Sequence, residues 1–140
     1  MNANQGSRSI GWIVTAIAIV VVATGVSEGG QRDPGWSAPL VVESRANPLA
    51  QRPEVLAGGE RLFRQRCSTC HGADGRGSRK GPALVTGDVQ AETDGALFWR
   101  ISSGNTRRGM PTFSFLPEPQ RWQLVMALRS LDAIKGHPKR

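Results

Sequence analysis

The stretch Cys67-Ser68-Thr69-Cys70-His71 limits what this chain can fold into more than any other feature. It contains the two cysteines of the 140 residues and one of the two histidines. The C-x-x-C-H spacing is the attachment signature of haem c, in which the two thiols bond to the ring and the histidine becomes an axial ligand of the iron. The motif therefore predicts one covalently bound haem c, held by Cys67 and Cys70 and ligated by His71.

Other uses of two nearby cysteines fit the sequence less well. A disulfide between them would close too small a loop to stabilise a fold. A zinc site would need a second pair of ligands, and His137 is the one histidine that remains. A thioredoxin-like dithiol would need a β-α-β pattern, which the sequence lacks. Haem attachment is thus the favoured interpretation.

The composition agrees with a buried prosthetic group. A folded part of roughly 80 residues buries too little of its own apolar surface to be comfortably stable, and a haem would supply the missing bulk. Lys and Arg outnumber Asp and Glu by 18 to 11, but they are scattered and not interleaved with aromatic residues. This distribution disfavours nucleic-acid binding and suits acidic redox partners or anionic lipid.

The sequence predicts four segments. Residues 1–26 contain the uncharged run Ile10–Val26, which is typical of an export signal or a membrane anchor. As a helix this run would be about 25 Å long, slightly less than a hydrocarbon core of about 30 Å, so both interpretations stay open. Residues 27–52, rich in Gly and Pro, are predicted to form a flexible linker. A haem domain is expected over 53–135 and a tail over 136–140, and either form of the N-terminal segment places the domain on the periplasmic side.

Within the predicted domain the apolar residues recur at helical spacing. One helix is expected to begin at Pro53 and end at Cys67, a second to cover roughly 95–102, and the last to begin near Pro117. Gly59 lowers the stability of the first helix unless another helix crosses closely there. No alternation typical of strands is present, so the fold is predicted to be all-α.

A sixth iron ligand is expected from Met110, Met126 or His137. Met110 lies in a loop between a glycine and a proline, which stiffen the chain so that a thioether can point at a fixed atom. Met126 has the spacing of a core residue in the last helix, and His137 lies in the tail. The sequence therefore favours Met110, and a His/Met pair would raise the reduction potential.

Two further residues are candidates for binding the haem. Pro82 follows His71 in a Gly-Pro-Ala-Leu turn, where a backbone carbonyl can accept a hydrogen bond from the His71 ring and orient it. Trp99 can donate its indole N–H to a haem propionate, although a tryptophan simply packed in a helix fits equally well.

Residues 54–132 resemble a class I c-type cytochrome domain. The resemblance is carried by GERLFRQRCSTCHG, the GPAL turn, the Gly-Met-Pro loop and the final helix WQLVMALRSL, in that order. It implies a small cytochrome c fold of three to five helices around one covalently bound haem, preceded by a hydrophobic helix and a linker. The family roles fall on these residues: Cys67, Cys70, His71, Met110, Gly59 and Pro82. The family usually has an aromatic residue where this chain has Ala127, and Trp122 is a candidate to replace it in the helix crossing.

These features favour a mono-haem electron carrier that is not itself an enzyme. It would pass single electrons between redox proteins of a periplasmic or membrane-associated respiratory chain through the exposed haem edge. One alternative is the cytochrome subunit of a membrane oxidoreductase, such as a dehydrogenase or terminal oxidase, tethered by Ile10–Val26. A haem sensor or catalytic protein with a labile Met110 is the other.

Overall fold

The computed structural model describes Met1 and residues 35–133, with side chains as far as Leu131. Six α-helices lie in this part of the chain: α1 (Leu40–Glu43), α2 (Leu56–Arg66), α3 (Ser68–His71), α4 (Gly87–Gln90), α5 (Asp94–Ser103) and α6 (Glu118–Ala133). Two 3-10 turns occur at Pro53–Val55 and Thr106–Arg108. The described residues contain two isolated antiparallel bridges and no strand, so the all-α fold class is confirmed.

Some predictions fall on residues outside this description. They are the signal or anchor at Ile10–Val26 and the role of His137. Among the described residues, no helix combines the length and the apolar character needed to cross a membrane.

The helix ends follow local rules of sequence. Pro53 opens a 3-10 turn that leads into α2, because proline is pre-organised for the first turn of a helix. At α5 the Thr93 hydroxyl oxygen accepts a hydrogen bond from the Ala96 N–H at 3.1 Å, as expected of an N-cap. The short helix α4 lies in a stretch for which the sequence predicted no helix.

Helices α2 and α6 cross with their backbones in contact at Gly59. A Cβ atom at this position would overlap the carbonyl oxygen of Gln123 and lie 3.3 Å from the Cβ of Ala127. The close crossing expected from the glycine is therefore present. The ring of Trp122 stacks on Phe98 of α5, with centroids 4.1 Å apart, and its part in the helix crossing stays a prediction.

The core lies between α2, α5, α6 and the loop before α6. Trp122, Leu124 and Val125 are its most deeply buried large side chains, and they place one face of α6 in the interior. The buried cluster consists of Phe63, Leu97, Phe98, Ile101, Phe113, Leu116, Trp122, Leu124, Val125, Ala127 and Leu128.

Residues 35–52, the described part of the predicted linker, pack against α5 and α6. The Arg100 guanidinium donates to the Trp36 carbonyl oxygen at 2.6 Å and lies 4.4 Å from the centre of its ring. The buried Asn47 side chain donates from Nδ2 to the carbonyl oxygen of Trp122 at 3.3 Å. This stretch, which we call the strap, is thus held on the surface of the helices, while the division of the chain into four segments stays a prediction.

Arg45 connects the strap to both α5 and α6. Its guanidinium lies 5.0 Å from the ring centre of Phe98 and 5.3 Å from that of Trp122. It also pairs with the Glu118 carboxylate at 2.6 Å. Hydrogen bonds from Trp122 and Arg45 hold the pKa of Glu118 below its ordinary value. Arg45 lies in a stretch that its composition predicted to be a linker, yet its side chain takes part in the tertiary structure.

Replacing Gly59 by alanine is expected to lower the free energy of unfolding by roughly 1–3 kcal/mol or more, as overpacked cores do, because the added methyl group would overlap the Gln123 carbonyl. Gly87→Ala, in α4, is the matched control, since no atom lies within 4 Å of a Cβ there. Thermal or denaturant unfolding of both variants measures the difference. Equal stability of the two would contradict the close crossing.

Candidate haem-binding site

The cysteine motif forms a helical turn that continues α2. The Cys67 N–H donates to the Phe63 carbonyl at 2.9 Å, and the His71 N–H donates to the Cys67 carbonyl at 2.9 Å. Residues three and four apart on a helix lie on the same face, so Cys67, Cys70 and His71 share one side of this turn. Both thiols are free and half-buried. The motif can therefore present two thiols and an imidazole to one flat group.

A backbone carbonyl orients the His71 ring. Its Nδ1 lies 2.8 Å from the carbonyl oxygen of Pro82. Because that oxygen can only accept, Nδ1 carries the proton and Nε2 keeps its lone pair for a metal. The hydrogen bond expected between the Gly-Pro-Ala-Leu turn and His71 is thus present, whereas iron ligation by Nε2 stays a prediction.

The glycine-rich loop after the motif folds back onto it. The Gly77 N–H donates to the His71 carbonyl at 2.8 Å, and the Ser78 hydroxyl donates to the Cys70 carbonyl at 2.6 Å. These bonds bring Pro82 beside the histidine. The contribution of Ser78 was missed by sequence reasoning, because one serine among several loop residues carries no distinguishing pattern.

Burial, with the neighbouring Cys70 as a smaller cause, raises the pKa of the Cys67 thiol to about 11. An apolar environment disfavours the charged thiolate. Cys67 also packs against the buried cluster. An apolar ring bonded to the Cys67 sulfur would therefore lie next to the core.

The loop that carries Met110 is held at both ends by its own backbone. Asn105 and Met110 form an antiparallel bridge, with N–H to carbonyl distances of 2.9 and 3.0 Å. Gly104 has a φ of 60°, a conformation that other residues rarely adopt, and a Cβ there would overlap the Pro111 carbonyl. The Met110 side chain is partly buried against the same core cluster that Cys67 contacts, so its position is restrained, as a loop ligand requires.

The remaining candidates lie elsewhere. Met126 lines a cleft of about 240 Å³ together with residues of the strap, α5 and α6. Trp99 is half-buried beside Trp36, with ring centroids 6.4 Å apart. The indole of Trp99 thus has a packing partner in the strap, and its contact with a propionate stays a prediction.

The residues present fit a haem group. Two thiols and an imidazole share one face, the imidazole nitrogen away from Pro82 is available, and a restrained thioether contacts the same core. Nowhere in the described part of the chain do three or more His, Cys, Asp or Glu side chains gather to hold a metal ion directly. The two thiols and the imidazole suit an iron porphyrin, and a soft sixth ligand from Met110 stays a prediction.

Comparison with known proteins agrees with this geometry. The family model described as cytochrome c oxidase, cbb3-type, subunit III, matches residues 54–126, just over half of the chain. A segment of 47 residues is 49% identical to the cbb3-type cytochrome c oxidase subunit CcoP of Rubrivivax gelatinosus. That match covers 34% of this chain and only 16% of the relative. The resemblance to c-type cytochromes is therefore confirmed, and the chain belongs to the family of cbb3-type cytochrome c oxidase subunit III, as a protein with a c-type cytochrome domain.

Proposed function

We propose that this chain is a haem c electron-transfer subunit of a membrane-bound terminal oxidase. The observation that carries the proposal is the family match over residues 54–126, which contain the whole cysteine motif and the Met110 loop. The match supports the oxidoreductase subunit, the alternative drawn from the sequence, better than an independent carrier. The relative from Rubrivivax gelatinosus is itself described as a subunit of a cytochrome c oxidase.

In the proposed site Cys67 and Cys70 would form the two thioether bonds, and His71 and Met110 would ligate the iron. When bound, haem c supplies a one-electron couple between ferrous and ferric iron. The Pro82 carbonyl oxygen accepts a hydrogen bond from His71 Nδ1, which fixes the ring orientation and leaves Nε2 as the ligating atom. The chain contains two cysteines, so the proposed content is one haem.

The protein contributes rigidity and apolar surroundings to this couple. The Met110 loop is closed by its bridge to Asn105, which restrains the backbone that carries the thioether. Exposed basic residues lie on both sides of the cysteine motif, and they are proposed to guide an acidic partner to the haem edge. They are Arg61, Arg64, Arg66, Arg76, Arg79 and Lys80.

Attachment to the membrane is proposed to occur through Ile10–Val26 as a retained anchor. The domain would then lie on the periplasmic side, next to the subunit that it reduces. The strap, folded onto α5 and α6, supports this arrangement because it joins the anchor to the domain at a defined place.

Replacing Met110 by leucine is expected to preserve covalent haem but to lower the reduction potential by on the order of 0.1 V, a fraction of the roughly 0.8 V that axial ligands span. Met126→Leu, whose side chain lines the cleft on another part of the domain, is the control and is expected to keep the parent potential. Potentiometric titration of the haem measures both. An unchanged potential in Met110→Leu would remove Met110 as a ligand.

Replacing Gly104 by alanine is expected to displace the Met110 loop, since the added Cβ would overlap the Pro111 carbonyl. The weak far-red absorption band of the oxidised, methionine-ligated haem should then lose intensity. Gly109→Ala is the matched control, because a Cβ there meets no atom within 4 Å and costs only the left-handed backbone conformation, about 1–2 kcal/mol. A band retained in both variants would show that Gly104 does not position the ligand.

The function is tested by purifying the tagged full-length chain from membranes in mild detergent. The expected result is one haem c per chain, co-purification with other oxidase subunits, and oxidation of reduced cytochrome c by the purified fraction. Haem-loaded chain recovered alone, without oxidase activity, would favour the independent carrier instead. The Met110→Leu variant should co-purify equally but support slower turnover.

A further inference from the structure

Helix α1 exposes two adjacent large apolar side chains. Leu40 retains 82% and Val41 retains 76% of their accessible surface. Water-exposed apolar side chains are common when single, but here the neighbouring residues on the same turn, Val42 and Glu43, are half-buried. The helix therefore has one side toward the domain and an apolar side toward the exterior.

The position of α1 is determined by close contacts with α5. The Val42 carbonyl lies so close to Gly95 that any Cβ there would overlap it. Shortly before α1 in the chain, the Trp36 carbonyl accepts a hydrogen bond from Arg100, and the Trp36 indole donates from Nε1 to the Ser103 hydroxyl at 3.4 Å. Leu40 and Val41 are thus presented by a restrained element, and their exposure is a property of the fold.

This apolar surface lies directly after the stretch that leads from the predicted anchor. Nine residues, 27–35, separate Val26 from Trp36. Even fully extended, nine residues reach only about 30 Å. A chain anchored through Ile10–Val26 would therefore keep α1 close to the bilayer surface, where a high effective concentration makes a small contact sufficient.

We propose that Leu40 and Val41, here called the α1 patch, rest on the lipid bilayer that holds the N-terminal segment. The inference rests on the proposed membrane attachment. Exposed aliphatic side chains are suited to the apolar side of the interface between headgroups and acyl chains. The surface of two aliphatic side chains is far smaller than the roughly 800 Å² that each partner buries in a standard protein interface. A tethered lipid contact fits this size better than a protein partner does.

The contact would determine how the haem domain is turned relative to the membrane. The strap contacts α5 and α6 through Arg45, Asn47 and Trp36, whereas the cysteine motif directly follows α2. Resting on the α1 patch would thus hold the domain by its strap, which is a separate part of the chain from the cysteine motif.

The test uses the full-length, haem-loaded chain in nanodiscs of phosphatidylethanolamine and phosphatidylglycerol. Leu40→Cys and Val41→Cys each add one thiol that is not bonded to haem, and a nitroxide is attached to it. With the haem reduced, electron paramagnetic resonance measures collisions of the nitroxide with oxygen, which enters lipid, and with a water-soluble nickel chelate. Ala57→Cys, on an exposed position of α2, is the matched control.

We expect the labels at positions 40 and 41 to be less accessible to the nickel chelate and more accessible to oxygen than the label at position 57. Equal nickel accessibility at all three positions, in protein that still floats with phospholipid vesicles, would overturn the patch while leaving membrane attachment intact. Failure of the chain to float would overturn both. Labels shielded from both reagents would indicate a protein contact, and shielding seen only with two chains per nanodisc would assign it to a second copy.

Discussion

The close contact between α2 and α6 at Gly59 determines where the rest of the site lies. Because the two backbones meet there, the C-terminal end of α2 lies beside the buried face of α6. Cys67, at that end, packs against the core. A larger residue at position 59 would move the whole cysteine motif away from the core. The geometry of the thiols and of His71 thus depends on a helix contact two turns away from them.

Both residues proposed as axial ligands are positioned by backbone hydrogen bonds of loops. The Pro82 carbonyl holds the His71 ring, and the bridge to Asn105 holds Met110. Loop backbones of this kind stay in place only where their polar groups are paired, since unpaired ones would be costly near an apolar core. The pairing explains how segments without regular secondary structure can hold His71 and Met110 in defined positions.

Membership in the cbb3 oxidase subunit family changes the balance among the functions that the motif allows. A cysteine motif with a loop methionine is compatible with a mobile carrier as well as with a subunit, since both need the same iron ligands. The family match and the folded strap both favour a domain held at a defined place. The difference between the two functions lies in the surroundings of the haem domain and not in its ligands.

Sequence alone determined the cysteine motif, the all-α class and the boundaries of the long helices, because each depends on residues close together in the chain. It also predicted Met110 as a ligand, on the residues that flank it. Tertiary structure decided the remainder. Residues 27–52 are predicted to be a linker because their composition is rich in Gly and Pro. The cation–π contacts of Arg45 and the buried hydrogen bond of Asn47 nevertheless attach the strap to helices more than 50 residues away. The stack of Trp122 on Phe98 of α5 is a contact of the same kind. Such contacts depend on which faces meet in space, and a linear pattern of residues does not contain that information.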